Sequence, residues 1–338
     1  MLTLFTYIAG FAICSSLIVF SGTRLSKYGD IIAELTGMGK AWFGLILMAA
    51  VTSLPELFTG ISSIVFIDSP DIAVGDIMGS CAFNLLILAV LDYFVPGRPI
   101  SSIVTKSHVL AGFFGIFLIT LSVISIIFGS KFPVIDMFSS YSILLIIIYI
   151  VAIRIIFKNE QKLQASGPGY HEQTNGQNYK NTSLKFAVTR YVIFALLVIA
   201  GAIALPYFAD HLAQVAGLSK SFVGTLLVAA TTSLPELVVC IAAVRLGSMD
   251  IAVGNLLGSN IFNMFILAVD DMMYTKGSLL QAASPNHALS GLVTLLMTAV
   301  VGISIIYSKP TKRFVLGIDA IILIILYTIL IISLYFIG

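Results

Sequence analysis

The chain reads as a succession of apolar runs, each about as long as a membrane crossing, separated by short polar breaks. Roughly 20 consecutive apolar residues span the hydrocarbon core as a helix. On that measure ten segments emerge, at about 3–22, 41–66, 71–95, 107–128, 133–157, 187–208, 221–245, 250–274, 285–307 and 313–337. One longer polar stretch, from Lys158 to Lys185, separates the fifth from the sixth, and its Gly, Asn, Gln and Ser content predicts a flexible linker. The predicted fold is an all-α membrane protein. Composition agrees, with 59% hydrophobic and 10% charged residues and a mean hydropathy of +1.06. No basic n-region precedes the first run, so it is expected to be a mature helix and not a signal peptide.

The second half of the pattern repeats the first. AAVTSLPEL (Ala49–Leu57) returns 180 positions later as AATTSLPEL (Ala229–Leu237), changed only at Val51 and Thr231. DIAVGDIMGSCAFN (Asp71–Asn84) matches DIAVGNLLGSNIFN (Asp250–Asn263) at nine of fourteen positions, and the match continues through LAV to Asp92 and Asp271. Gly37 and Gly217 precede the second helix of each half, and Asp136 and Asp319 open the last. The organisation expected is a first five-helix repeat over 1–157, a linker over 158–186 and a second five-helix repeat over 187–338. Five is odd, so the second repeat enters the membrane from the opposite side, the inverted architecture of many secondary transporters. With the N-terminus outside, fifteen Lys and Arg fall in inner loops and three, Lys131, Lys220 and Lys276, in outer ones. The positive-inside rule then puts both termini outside and the linker in the cytoplasm, in a plasma (inner) membrane.

Within each half, Ser-Leu-Pro-Glu predicts a broken helix. Pro55 has no N–H and its ring clashes with the carbonyl of Val51, while Leu54 is pushed off helical angles. Ser53 and Glu56 have capping-box spacing with proline just inside the new start; Pro235 repeats the arrangement, so the second and seventh helices are expected to be broken. Carbonyls freed near Ala49–Thr52 and Ala229–Thr232 survive at membrane depth only facing protein, water or an ion. A carboxylate at membrane depth is costly and by default functional, which singles out Glu56 and Glu236. Hard cations such as Ca²⁺ take six to eight oxygens, mixing carboxylates, carbonyls and hydroxyls. The two glutamates with the freed carbonyls and Thr52, Ser53, Thr232 and Ser233 supply that chemistry. Two negative charges balance one divalent or two monovalent ions, so the site suits their exchange.

Asp76, Ser80 and Asn84 fall at i, i+4 and i+8 and line one helix face; Asn255, Ser259 and Asn263 repeat the stripe. Gly75, Gly79, Gly254 and Gly258, one position before, let a neighbouring helix approach. A lone Ser or Thr in a membrane helix is most often bonded back to its own helix, and small residues at four-spacing are most often packing. The in-register repeat is what argues beyond those readings. Asp92, Asp270 and Asp271 are expected at the interface rather than on an ion, and Asp71, Asp250, Asp136 and Asp319 as helix N-terminal carboxylates.

At these residues the chain resembles the cation/calcium exchanger superfamily, specifically the prokaryotic sodium/calcium antiporters, whose two repeats carry G-T-S-x-P-E and G-N-x-x-G-S-N-x-x-N/D type motifs. Here they read VTSLPE, TTSLPE, GDIMGSCAFN and GNLLGSNIFN. The resemblance implies four adjacent ion sites at mid-membrane. Glu56 and Glu236 would hold Ca²⁺ with the carbonyls of Thr52 and Thr232. Na⁺ would occupy flanking sites, with Ala49, Ser53 and Ser80 on one side and Ala229, Ser233 and Ser259 on the other, and Asn84 and Asn263 would line the centre. The first and sixth helices would slide across the rest to alternate access, and Ca²⁺ would leave the cell. The chain departs from the pattern at Val51 and Thr231, where the motif has glycine, and at Asp76, where Asn is usual. Asn263 stands where an aspartate accompanies potassium dependence in some relatives.

Other classes fare worse. Asp76 leaves an H⁺-coupled variant open as the alternative, along with exchange of Mn²⁺ or Mg²⁺. AVGD (Ala73–Asp76) faintly matches the G-x-G-D of intramembrane aspartyl proteases, but the partner Tyr-Asp motif is missing and the other half has Asn255. A passive channel fits tight carboxylate sites poorly. No phosphate-binding loop, no zinc or haem spacing among four scattered histidines, no disulfide framework among Cys14, Cys81 and Cys240, and no nucleic-acid-binding patch is found. The expectation is a transporter and not an enzyme, with no cofactor and no obligatory protein partner, working on Ca²⁺ and Na⁺ in a lipid bilayer.

Overall fold

A computed structural model describes residues 2–36, 49–129, 134–135, 138–165, 182–307 and 311–337. The architecture is helical, with one two-residue antiparallel pairing, Val134–Ile135 with Phe138–Ser139. The helices are α1 Leu2–Thr36, α2 Ala49–Thr52, α3 Leu54–Val65, α4 Pro70–Tyr93, α5 His108–Phe128, α6 Ser140–Ala165, α7 Leu184–Ala216, α8 Lys220–Val223, α9 Ala229–Thr232, α10 Leu234–Arg245, α11 Met249–Met273, α12 Leu279–Ala282, α13 His287–Tyr307 and α14 Ile318–Ile337. Among the described residues eight helices are long and apolar enough to cross a membrane. The pair Lys220–Thr232 and Leu234–Arg245, bent by 44°, makes a ninth if taken as one span. The expected segment at 41–66 is described only from Ala49, and Gly37 and Asp136 lie outside the described residues.

Two helices outrun the expected bounds. Apolar length marks what the bilayer covers, whereas a helix continues until a breaker stops it. Thus α1 runs 35 residues and α7 runs 33, each about 50 Å at 1.5 Å per residue. Gly217, in the left-handed region at φ 66°, ends α7. The linker expected over 158–186 is likewise entered from both ends, by α6 to Ala165 and by α7 from Leu184.

The centre is formed by α4 and α11, which are buried along most of their length and pack on each other. Around them, α4 meets α13 and α14, while α11 meets α5 and α6. The main apolar core runs through this assembly. Helices α1 and α7 lie chiefly against each other and rest on smaller apolar clusters of their own. Large apolar side chains such as Phe113, Phe117, Leu292, Leu296 and Ile303 stand exposed on α5 and α13. So much apolar surface on outer helix faces is what lipid, not water, solvates.

Close packing of the broken segment on α4 rests on glycine. A Cβ on Gly79 would lie 2.4 Å from the Thr225 carbonyl oxygen and 2.7 Å from its Cα, and one on Gly75 would lie 3.1 Å from the Gly224 Cα. The facing segment, Gly224–Val228, is a π-helical turn, a feature frequent at functional sites.

Candidate ion-binding site

The two breaks have nearly the same geometry. Ser53 sits at φ −90°, ψ 12° and Ser233 at φ −90°, ψ 2°, each between a four-residue helix and one that restarts through proline. In both, the Ser N–H reaches back to the alanine carbonyl at 3.0 Å and the Ser carbonyl accepts from Leu57 or Leu237 at 3.2 Å. Two expectations are corrected in detail. The Ala49 and Ala229 carbonyls are not free: besides those serine amides, Thr52 and Thr232 Oγ1 each lie 3.2 Å from them. The carbonyls that lose their usual i+4 donor are those of Val51 and Thr231, because Pro55 and Pro235 carry no N–H. Nor does a capping box form, since neither serine caps its own helix.

The serine hydroxyls cross between the halves instead. Ser233 Oγ donates to Glu56 Oε1 at 3.1 Å, and Ser53 Oγ donates to Glu236 Oε1 at 3.3 Å. Ser80 Oγ donates to Glu56 Oε1 at 3.4 Å and lies 3.4 Å from Thr232 Oγ1, which donates to Asp76 Oδ1 at 2.8 Å. The structure thereby joins Glu56, Ser80, Asp76, Thr232 and Ser233 in one bonded cluster, with Ser53 and Glu236 as its counterpart. All thirteen expected residues, Ala49, Thr52, Ser53, Glu56, Asp76, Ser80, Asn84, Ala229, Thr232, Ser233, Glu236, Ser259 and Asn263, are no more than 2% exposed.

What is left unbonded is informative. Glu56 Oε2, Glu236 Oε2, Asp76 Oδ2 and the Oδ1 atoms of Asn84, Asn255 and Asn263 are buried with no hydrogen-bond partner, as is Ser259 Oγ. Apart from that hydroxyl, every one is a pure acceptor. Buried acceptors without donors are expensive, and a cation is the group that satisfies many of them at once. Among the described residues no Lys, Arg or His pairs with Glu56, Glu236 or Asp76. Nor, among the described residues, is any group of three or more His, Cys, Asp or Glu poised as a cage. An ion would therefore draw on hydroxyl, amide and carbonyl oxygens beside the carboxylates, a donor set for hard cations.

The amide nitrogens are occupied elsewhere. Asn84 Nδ2 donates to Asn260 Oδ1 at 3.0 Å, and Asn260 Nδ2 to the Cys81 carbonyl at 3.1 Å. Asn255 Nδ2 lies 3.5 Å from Cys240 Sγ, and Asn263 Nδ2 lies 3.8 Å from Cys81 Sγ. These contacts aim the amides of Asn84, Asn255 and Asn263 so that their oxygens stay free. Sequence reasoning missed Asn260, Cys81 and Cys240 in this part; the signal was that Cys81 and Asn260 occupy the same place in the two repeats.

The remaining acidic residues sort differently. Asp92 accepts from the Ile100 and Gly317 amides at 2.7 Å and pairs with Lys312 at 3.0 Å. Asp271 accepts from Ser142 Oγ at 2.6 Å, Tyr141 OH at 2.5 Å and the Leu279 amide at 2.8 Å. Both are buried loop anchors at the ends of α4 and α11. Asp71 and Asp250 stand in the first turns of α4 and α11 as expected, but each also binds a histidine: His287 Nε2 at 3.1 Å and His108 Nε2 at 2.9 Å. Those histidines are 179 residues apart, the offset that separates the two aspartates, so they are not scattered.

Buried carboxylates without basic partners, set between broken helices inside an apolar bundle, define a membrane-embedded cation carrier. The family model described as sodium/calcium exchanger protein matches residues 6–158 and 186–336, and the chain belongs to that family. Its members are transporters, not enzymes, so this is an integral membrane protein of calcium and sodium antiport. It is 28% identical over 266 residues to the inner membrane protein YrbG of Escherichia coli (strain K12), covering 78% of each chain. It is 43% identical over 88 residues, 24% of this chain and 25% of the other, to the sodium/calcium exchanger MaX1 of Methanosarcina acetivorans. A solved structure of the sodium-calcium exchanger NCX_Mj, soaked with 2.5 mM Na⁺ and 0.1 mM Sr²⁺, matches 98% of this chain and 99% of that one at 25% identity and a TM-score of 0.63.

Proposed function

We propose that the chain exports Ca²⁺ in exchange for inward Na⁺ by alternating access, with Glu56 and Glu236 as the shared Ca²⁺ ligands. The observation that carries the reading is the crossed pair of bonds, Ser233 to Glu56 and Ser53 to Glu236, beside carboxylate oxygens left without donors. Each glutamate is held on one oxygen by the opposite half and offers the other to an ion. Ca²⁺ binds between them with the carbonyls of Thr52 and Thr232. Na⁺ takes flanking positions at Ser53 and Ser80 and at Ser233 and Ser259, where the Ala49 and Ala229 carbonyls join once their threonine hydroxyls turn away, and Asn84 and Asn263 line the centre. Asp76, bonded to Thr232, adds negative charge to the α4 side. Two glutamate charges balance one Ca²⁺ or two Na⁺, so occupation by one excludes the other, which is the condition for coupled exchange.

The framework we infer is ten membrane helices in two inverted five-helix repeats, 1–157 and 187–338, around a cytoplasmic linker, with both termini outside in a plasma membrane. Support comes from the matched breaks and from the reciprocal packing of α4 on α13 and α14 and of α11 on α5 and α6. Helices α1 and α7, which pack mainly on each other, move as a pair across the remainder to open one side and then the other.

Equilibrium ⁴⁵Ca²⁺ binding to the purified protein tests the shared site. Na⁺ is expected to displace bound Ca²⁺ where equal ionic strength from a bulky organic cation does not. Ca²⁺ binding indifferent to Na⁺ would overturn a common site.

A further inference from the structure

Asp270, near the end of α11 where an interfacial position was expected, is 0% exposed, and both of its carboxylate oxygens lack a hydrogen-bond partner. Its place in the fold is made for it. The carboxylate fills the space beside Gly60 of α3, where a Cβ would lie 2.2 Å from Oδ2 and 2.7 Å from Oδ1. The repeat shows that the fold does not need a carboxylate here. LAVDD (Leu267–Asp271) aligns with LAVLD (Leu88–Asp92), so the residue matching Asp270 is Leu91, equally buried. LPELFTG (Leu54–Gly60) aligns with LPELVVC (Leu234–Cys240), so Gly60 is matched by Cys240. The matched positions thus hold Leu91 and Cys240, neither of them an acid. Here a side chain is absent at Gly60 and an acid that makes no structural bond takes the space.

Carboxylates in electrostatic reach are Asp271 of the same helix and Asp76 of α4, and Glu56 stands one turn before Gly60 on α3. Tyr141 of α6 is bonded to Asp271. The cationic groups on neighbouring helices are engaged or distant: His108 of α5 is bonded to Asp250, Arg245 of α10 lies over the Phe94 ring, and Arg154, Lys158 and Lys162 of α6 stand three or more turns along that helix from the Tyr141 and Ser142 that meet Asp271. A metal ion requires several oxygens at fixed distances, and a carboxylate pressed on a bare glycine leaves no room for that shell. A proton requires none. An isolated ionised carboxylate out of water is prohibitively costly, and such a group neutralises instead.

We propose that Asp270 is a proton-binding site separate from the calcium cluster: it takes a proton from water when its side of the protein opens, carries it as the neutral acid through the transit made without Ca²⁺, and releases it to water on the other side before the transit made with Ca²⁺, whose charge offsets the ionised carboxylate. It lies two helical turns beyond Asn263, roughly 10 Å along α11, on the face shared with the first half. The proton arrives from water and returns to water, and no other group changes state. The proposal rests on the exchange reading above and extends it: proton movement accompanies Ca²⁺ exchange through a residue outside the Ca²⁺ site.

The test uses the full chain in proteoliposomes with an entrapped pH dye, as wild type, Asp270→Asn and Asp270→Leu, the last copying the matched residue of the other half. Imposing a Ca²⁺ gradient without Na⁺ is expected to drive proton counter-movement in wild type. Both variants lose it while keeping Na⁺-driven ⁴⁵Ca²⁺ uptake. Counter-movement undiminished in the variants, or absent in a wild type that exchanges Na⁺ for Ca²⁺, overturns the proton site. A wild type with no Na⁺-driven uptake fails the exchange reading instead. Should a variant not fold, infrared spectroscopy of wild type and the surviving variant decides: a protonated carboxyl band that the variant lacks supports the site, and identical spectra refute it.

Discussion

Replacing Glu56 by Gln keeps the shape of the side chain and removes one of two glutamate charges. In the protein as it stands, Glu56 Oε1 accepts from Ser233 and Ser80, and Oε2 accepts from nothing. A glutamine retains the serine contacts with its carbonyl and turns an N–H donor toward the ion position. Two unit charges about 4 Å apart at an effective dielectric near 20 interact by roughly 4 kcal/mol, and a divalent ion doubles that. Desolvation takes back part of it, so removing one partner of a buried charge pair costs about 3–5 kcal/mol. At about 1.4 kcal/mol per decade, apparent Ca²⁺ affinity falls by roughly a hundredfold or more. The ion-free protein should not suffer, because the substitution deletes a buried carboxylate oxygen that has no donor. The assay pairs the Ca²⁺ dependence of ⁴⁵Ca²⁺ uptake with thermal unfolding with and without Ca²⁺. At a hundred times its Kd a ligand stabilises the folded state by about 2.7 kcal/mol, and Glu56→Gln should forfeit most of that shift while leaving the ion-free Tm level or higher. Wild-type Ca²⁺ dependence in the variant would refute the two-glutamate site.

Further expectations concern the frame. Gly79→Val drives a side chain into the Thr225 backbone and should cost about 1–3 kcal/mol of stability or more, whereas Gly115→Ala, with nothing within 4 Å of the new Cβ, should leave Tm unchanged; equal effects would contradict the close approach of the π-helical turn. His287→Ala should destabilise by about 1–2 kcal/mol through its bond to Asp71. His108→Ala should cost less, because Asp250 is 45% exposed against 30% for Asp71 and solvent screens the pair; the reverse order in thermal melts would count against the account. Asp76→Asn keeps an acceptor for Thr232 but drops a charge near the site, so it should weaken Na⁺ competition for bound Ca²⁺ without altering Tm; an unchanged Na⁺ dependence would make Asp76 a packing residue.

Proline made the breaks legible before any coordinates: Pro55 and Pro235 cannot continue a helix, and both helices stop at Ser53 and Ser233 as expected. The buried stripe of Asp76, Ser80 and Asn84 followed from helical spacing alone. Bonds between the halves were beyond that reasoning. Ser53 and Ser233 looked like caps for their own helices, and only the meeting of the two breaks sends their hydroxyls to the opposite glutamate. Hydropathy underestimated α1 and α7 because it reports where lipid ends, not where hydrogen bonding ends. The burial of Asp270 was out of reach for a related reason. Position near a helix terminus suggested water, but α3 brings Gly60 over it, a contact that local sequence does not encode. His108 and His287 were visible as a matched pair at the repeat offset, yet two lone histidines in loop-proximal positions carry no local motif.

The central claim is coupled exchange through one shared site. Initial ⁴⁵Ca²⁺ uptake into proteoliposomes loaded with Na⁺, set against vesicles loaded with K⁺ and vesicles given a pH jump, tests it most directly. The account predicts rapid uptake driven by outward Na⁺ that is abolished in Glu56→Gln and in Glu236→Gln. Uptake of equal rate from K⁺-loaded vesicles, or uptake that survives both substitutions, would contradict it.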